Sequence, residues 1–220
     1  MVKNTKTASQ TPQSLSEQIF TDIRIGTYGP GTWLKQIDLE ERYGAKRIAV
    51  RKALDELVAK RLVEHIPNRG YRVYALDATR RRELRAIRTL LETAAVDEII
   101  GNATDADVTE LYALAEVFQQ ASYDGTVLSL NDANLAFHQR LLKLCDNTSM
   151  VELIMEMRAR GPAAPVTRWR TVAQLEKVNK DHFMIVEALA DRDAPRLKAV
   201  ISGHINESGP LQTGLEAGAE

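Results

Sequence analysis

Leu15, Ile19, Ile23 and Ile25 recur at a mostly helical spacing, and Gly26 with the turn Tyr28-Gly29-Pro30-Gly31 closes that segment. A short second helix is predicted around Gln36–Tyr43 and breaks at Gly44. A third runs from about Arg47 to Lys60, with Val50, Ala53, Leu54 and Leu57 on one face. The period then changes. Leu62–Ile66 and Tyr71–Tyr74 are short β-type runs, and Pro67-Asn68-Arg69-Gly70 between them is hairpin turn chemistry. Three helices followed by a hairpin is the order of a winged helix-turn-helix, assigned to residues 14–75.

From Thr79 onward the pattern is helical and no convincing strand appears. Helices are predicted near 79–100, 104–121, 126–146, 148–160, 170–191 and 193–207, with Asp77 or Thr79 able to cap the first. Gly161-Pro162-Ala163-Ala164-Pro165 separates the fourth from the fifth. The expected fold class is therefore mainly α: the winged helix-turn-helix, then an all-helical antiparallel bundle over 79–207. Residues 1–13 read as disordered and 208–220 as a loose tail.

Composition narrows the setting. A hydrophobic fraction of 44% supports a core, and 27% charged residues is ordinary for a soluble protein. No stretch approaches the ~20 apolar residues of a membrane helix. The polar start lacks the apolar core of a secretory signal. Cys145 is the only cysteine, which fits a reducing, cytoplasmic setting. Net charge is −1, yet residues 1–78 carry 13 Lys+Arg against 9 Asp+Glu, leaving 16 against 21 beyond them. A basic head on an acidic body is the balance of an anion-binding module joined to something else.

The likeness to a DNA reader is concentrated at the start of the third helix, Lys46-Arg47-Ile48-Ala49-Val50-Arg51-Lys52. In a helix-turn-helix this end enters the major groove. Arg47 and Arg51 stand four residues apart, away from the core face. An arginine fork donates two bonds to guanine O6 and N7, and it also suits phosphate. Lys46 and Lys52 are compact charges suited to phosphates. Asn68, Arg69 and Gly70 form the hairpin tip, from which Arg69 can reach the backbone or the adjacent minor groove. Lys46 falls where Ser, Thr, Asp or Asn would cap the helix, and a cation there faces the positive end of the helix dipole. An anion at that end relieves the conflict.

A second constellation lies in the helical part. Asn134 and His138 are one helical turn apart and share a face. His182 and His204 lie on two further helical segments. If those helices pack together, the set can hold a divalent metal. His65, on the wing, reads as structural or close to DNA, and Cys145 as a small buried apolar residue.

The segment from Gly29 to Val73 resembles the N-terminal domain of the GntR family of bacterial transcription regulators. The matching residues are Pro30-Gly31, Leu34, Leu39, Arg47, Val50, Arg51, Ala53, Leu54, Leu62-Val63 and Asn68-Arg69-Gly70. The remainder is similar to the ligand-binding domain of the FadR-type branch, the FCD domain. Here the matches are Arg88-x-x-Leu91-Glu92, Phe137-His138, Asn147, and His182, Glu187-Ala188-Leu189, Asp193-Ala194 and His204. A count of six helices favours the shorter, VanR-like subgroup. The resemblance implies that Arg47 and Arg51 contact DNA and that Gly70 lets the wing approach it. It also implies a metal held by Asn134, His138, His182 and His204, beside a small carboxylate effector. Arg88 is the foremost candidate partner for that carboxylate, with Arg85, Arg158 and Arg160 behind it.

Lys46, Ile48, Ala49 and Lys52 depart from the family's Ser, Thr, Pro and Glu, and all lie on the reading surface. Asn134 stands where Asp is commoner, and Asp132 faces elsewhere. Three imidazoles and an amide leave a bound ion at its full charge, so the metal should be held loosely and an anion firmly. Imidazole-rich ligation suits zinc or nickel. The expected function is a homodimeric repressor on a palindromic operator, released by an organic acid. A regulator sensing the metal alone and a metal-dependent hydrolase are the alternatives, the last without an evident general base.

Overall fold

The computed structural model describes residues 14–160 and 172–207. The expectations for residues 1–13, 161–165 and 208–220, and for the Arg160 side chain, lie outside what it describes. The chain divides into two compact units, residues 1–74 and 75–220.

In the first unit α1 (Leu15–Arg24) opens on a capping box: Ser14 Oγ accepts from the Glu17 amide, and the Glu17 carboxylate accepts from the Ser14 amide. The helix buries Ile19 and Ile23. Ile25, which the spacing puts on the same stripe, is instead the exposed residue just past the helix end. Strand β1 (Trp33–Leu34) precedes α2 (Gln36–Tyr43), which Gly44 ends at φ +60°. Helix α3 (Arg47–Ala59) buries Val50, Ala53, Leu54 and Leu57 as expected. Ser16 Oγ donates to Glu56 at 2.6 Å and ties α1 to α3.

Strands β2 (Val63–Ile66) and β3 (Gly70–Val73) form the expected hairpin, with Asn68 at φ +63° and Gly70 at φ +101° in its turn. Strand β1 pairs with the outer side of β3, giving a sheet of order β1-β3-β2. Sequence periodicity misses β1, because two residues are too few to display a period.

The second unit is helical throughout its described residues: α4 (Ala78–Ala94), α5 (Val96–Asn102), α6 (Asp105–Asp124), α7 (Val127–Leu142), α8 (Thr148–Arg160), α9 (Val172–Ala190) and α10 (Ala194–Glu207). Asp77 caps α4 by accepting from the Arg80 amide at 2.7 Å. The expected helix over 79–100 divides at Ala95. The described residues of this unit therefore hold seven helices, which corrects the count of six and removes its support for the shorter subgroup. Ala95 keeps right-handed dihedrals (φ −69°, ψ −17°), so no glycine or proline marks the joint. The helix expected to reach residue 146 stops at Leu142, although Leu144 and Cys145 stay buried and prolong its apolar period.

Packing runs α7 on α6, α6 on α9, α9 on α10, α10 on α4 and α4 on α8. The core joins Leu111, Phe137, Ile185, Leu189, Leu197 and Ile201. This order brings polar residues of α4, α7, α8, α9 and α10 to one interior place.

Candidate metal centre and nucleic-acid interface

His138 of α7, His182 of α9 and His204 of α10 are all buried, and one ligand-capable nitrogen from each lies within 4.8 Å of the others. His182 stacks on Phe137 with centroids 4.3 Å apart and meets Phe118 edge-on at 4.5 Å. These rings hold its imidazole in the cluster.

Two carboxylates that sequence patterns do not mark as site residues organise the rest. Asp181, buried on α9, lies 3.4 Å from His204 Nδ1 and also accepts from Lys177 at 3.1 Å. A carboxylate on Nδ1 keeps the proton there and leaves the Nε2 lone pair aimed at the cluster. Glu92, buried on α4, takes two bonds from Arg158, at 3.1 and 2.7 Å, and has Arg88 Nε 2.7 Å away. Burial opposes ionisation of Glu92, but Arg158 and Arg88 outweigh it and hold its pKa below the ordinary carboxylate range. Burial, reinforced by Arg158, lowers Arg88 to about 10. Glu92 belongs to the Arg88-x-x-Leu91-Glu92 pattern, so its i,i+4 spacing from Arg88 is visible in the sequence. The position of Asp181, next to His182, is visible too, though nothing local marks it as aimed at His204.

Burial is also the main reason that His138 is pushed well below the ordinary histidine range, with Arg158 adding to it. His204 is lowered too: burial outweighs the opposing bond from Asp181. These two imidazoles are therefore neutral at pH 7. Beside the three rings two guanidiniums share the single carboxylate of Glu92, while Asp181 is engaged with His204 and the exposed Lys177.

The donor set suits an imidazole-loving divalent ion, and His204 is already in the ligating tautomer. His138 is different. Arg158 Nη2 lies 3.0 Å from His138 Nδ1, and a guanidinium can only donate. His138 Nδ1 must then accept, which puts its ring proton on Nε2, facing His204 Nε2 at 3.2 Å. The result is a chain of donors running Arg158, His138, His204, Asp181. Ligation through His138 Nε2 requires that proton to leave and Arg158 to release Nδ1. The trio fits an ion on that condition.

Asn134 sits half-buried one turn before His138 on α7. Arg88 and Arg158 are at the cluster. Arg85 instead directs Nη1 to the Asn206 carbonyl at 3.5 Å. Cys145 is buried but not merely apolar: its Sγ lies 3.2 Å from Glu98, and burial followed by that carboxylate raises its pKa.

In the first unit Lys46, Arg47, Arg51 and Lys52 are all exposed. Lys46 is the N-cap of α3 and its side chain makes no cap bond. Arg51 Nε lies 4.0 Å from Asp55, which accepts a 2.6 Å bond from Tyr71. At the wing, Asn68 and Arg69 are exposed, and Arg69 lies over the Trp33 ring at 5.0 Å. His65 packs on Tyr71, with centroids 4.8 Å apart.

A head of three helices and a wing, joined to a helical body with a buried histidine cluster, defines a two-part transcription regulator. The chain belongs to the GntR family of bacterial regulatory proteins, matching the gntR family over residues 11–73 and the FCD domain over 83–207. It is 29% identical to the regulator BphR of Paraburkholderia xenovorans over 204 residues, covering 87% of this chain and 81% of that one. It is 27% identical to the regulator McbR of Escherichia coli, covering 82% and 84%, and 25% identical to the repressor GlaR of E. coli, covering 86% and 90%. Among solved structures, E. coli McbR superposes with a TM-score of 0.69 at 24% identity, over 89% of this chain and 95% of that one. Lar of Listeria monocytogenes gives 0.59 at 20%, over 92% and 96%. The protein is thus a DNA-binding transcriptional regulator and not an enzyme, and the hydrolase alternative is set aside. Among the described residues no helix is long and apolar enough to cross a membrane.

Proposed function

We propose that the chain is a cytoplasmic, homodimeric repressor whose hold on a palindromic operator is weakened by a small organic acid bound inside residues 75–220. The observation that carries this reading is the buried His138–His182–His204 cluster set against two guanidiniums that share one carboxylate. A divalent ion, zinc or nickel, would be held by the three histidines and Asn134, and it would supply Lewis-acid charge for a carboxylate. Arg158 and Arg88 provide the complementary cations. A carboxylate arriving there can take over bonds now made to Glu92. That the E. coli relative GlaR is named a repressor supports the sign of control. Lys46, Arg47, Arg51, Lys52, Asn68, Arg69 and Gly70 are the proposed DNA contacts. The effector acts by binding one conformational state better than the other, since equal affinity would shift nothing.

The test is operator binding by fluorescence anisotropy, on duplexes selected with the full-length protein. It is titrated with a panel of mono- and dicarboxylates, with added zinc and with chelator. At least one acid should weaken binding in the zinc-loaded protein. Unchanged affinity with every acid, with zinc and with chelator would sink the switch. A response to zinc alone would favour a second reading in which the ion is the signal. That reading draws on Arg158, which competes for His138 Nδ1 and so couples the ion to α4 through Glu92.

A further inference from the structure

The first turn of α3 carries one large exposed apolar residue, which neither phosphate contact nor guanine recognition uses. At about 100° per residue, the buried stripe of Val50, Ala53, Leu54 and Leu57 is centred about 170° from Ile48. Ile48 therefore stands in the middle of the outward face, and it is 85% exposed. It is the most exposed large apolar side chain among the described residues. Lys46, Arg47, Arg51 and Lys52 surround it in sequence and on the helix surface, and all four are exposed. Among the described residues none covers it.

A branched hydrocarbon ringed by cations matches one kind of surface. The rim of the DNA major groove is phosphate, and on its floor thymine presents a C5 methyl, a hydrocarbon group that the other three bases lack. An acidic protein surface would satisfy the cations but offers no reason for the apolar centre. Isoleucine is also stiff at χ1, so its methyls are presented with little rotamer freedom left to lose. The family's usual threonine at this position has a hydroxyl where Ile48 has only carbon, which points to a changed base preference.

We propose that Ile48 is a specificity-determining residue that reads a thymine C5 methyl in the operator. The proposal rests on α3 being the helix that enters the groove, and its test separates the two. Sites are selected from a random duplex library with full-length wild type, Ile48→Ala, Ile48→Thr and Arg51→Ala. Each thymine of the wild-type site is then replaced by deoxyuridine, which deletes only the methyl. At one or more thymines this change should weaken wild-type binding about four-fold, the value of one buried methylene-sized group. Ile48→Ala, which lacks every carbon beyond Cβ, should lose most of that difference while keeping wild-type sensitivity elsewhere, and Ile48→Thr, which keeps one γ-methyl, should fall between the two. If every replacement affects wild type and Ile48→Ala equally, or the selected site holds no thymine, the proposal is overturned. Arg51→Ala decides what else falls with it: a changed selected sequence for that variant leaves α3 in the groove. If neither Arg51→Ala nor the Ile48 variants alter the selected sequence, both readings fail together.

Discussion

The two units treat their cations in opposite ways. In residues 1–74 Lys46, Arg47, Arg51 and Lys52 stand in solvent at the start of one helix, against its dipole and without a side-chain cap. In residues 75–220 Arg88 and Arg158 are sunk against a single buried carboxylate, Glu92. An exposed cation is already well solvated, so leaving it unpaired costs little and it remains ready for phosphate. A buried one loses its water and must be paired, so its partner becomes a structural requirement. The outer cations can therefore be exchanged for function with little effect on folding, whereas the inner ones cannot.

The largest effect should follow removal of the shared carboxylate. Glu92→Ala leaves two guanidiniums buried without a counter-charge, and the expected loss is about 3–5 kcal/mol in denaturant unfolding of the intact chain. Arg51→Ala, by contrast, should change stability by less than about 0.5 kcal/mol while costing about 1–3 kcal/mol in operator affinity. If Glu92→Ala melted like wild type, the contrast between paired interior and open surface would be wrong.

The same contrast has a pH signature, measured after dialysis against chelator. His138 and His204 have lowered pKa values in the folded chain, so below about 6.5 the unfolded chain binds protons that the folded chain refuses. Stability should therefore fall on acidification from about pH 6.5, by up to about 1.4 kcal/mol per unit for each histidine. Glu92 adds a second loss at lower pH. Its contribution is fully present above the ordinary carboxylate pKa and vanishes as pH drops through its lowered value. The double variant His138→Phe/His204→Phe should flatten the upper limb and leave the lower one. A pH profile that is flat from 7 to 5 in wild type would contradict buried neutral imidazoles.

Next in size is the carboxylate behind His204. Asp181→Asn should weaken zinc binding about 10–100-fold in a chelator competition, because the ring loses the partner that fixes its tautomer. Arg158→Met should act in the other direction and tighten zinc, since His138 Nδ1 is then free to carry the proton. Both variants shifting zinc affinity the same way would break the donor chain from Arg158 to Asp181.

How much of this is legible in the sequence depends on what kind of signal each residue gives. The amphipathic stripe of α3, the wing turn and the three histidines are readable, because local spacing sets a face and the relevant residue types are uncommon there. The division at Ala95 is not, because an alanine in right-handed dihedrals leaves the apolar period intact across the joint. Glu92 and Asp181 are two acidic residues among the 30 in the chain. Their roles come from burial against Arg158 and His204, 66 and 23 positions away, which no local pattern encodes. Arg158 ranks below Arg88 on sequence grounds for the same reason: only packing of α8 on α4 brings it to Glu92 and His138.

The smallest effect tests the surface side of the comparison most directly. Lys46 has the extended dihedrals of a proper N-cap, φ −72° and ψ 148°, so Lys46→Ser needs no backbone change to accept an amide proton from the first turn. Folding should gain about 1 kcal/mol from the new cap and the removed cation. DNA binding should move the other way, with the slope of log affinity against log salt shrinking by about 0.9 for each phosphate no longer neutralised. Opposite signs in one substitution would mean that the first turn of α3 is kept less stable than it need be because the cation is used on DNA. If Lys46→Ser instead leaves the salt dependence unchanged, Lys46 is an ordinary solvated residue, and the phosphate-binding role passes to Arg47, Arg51 and Lys52 alone.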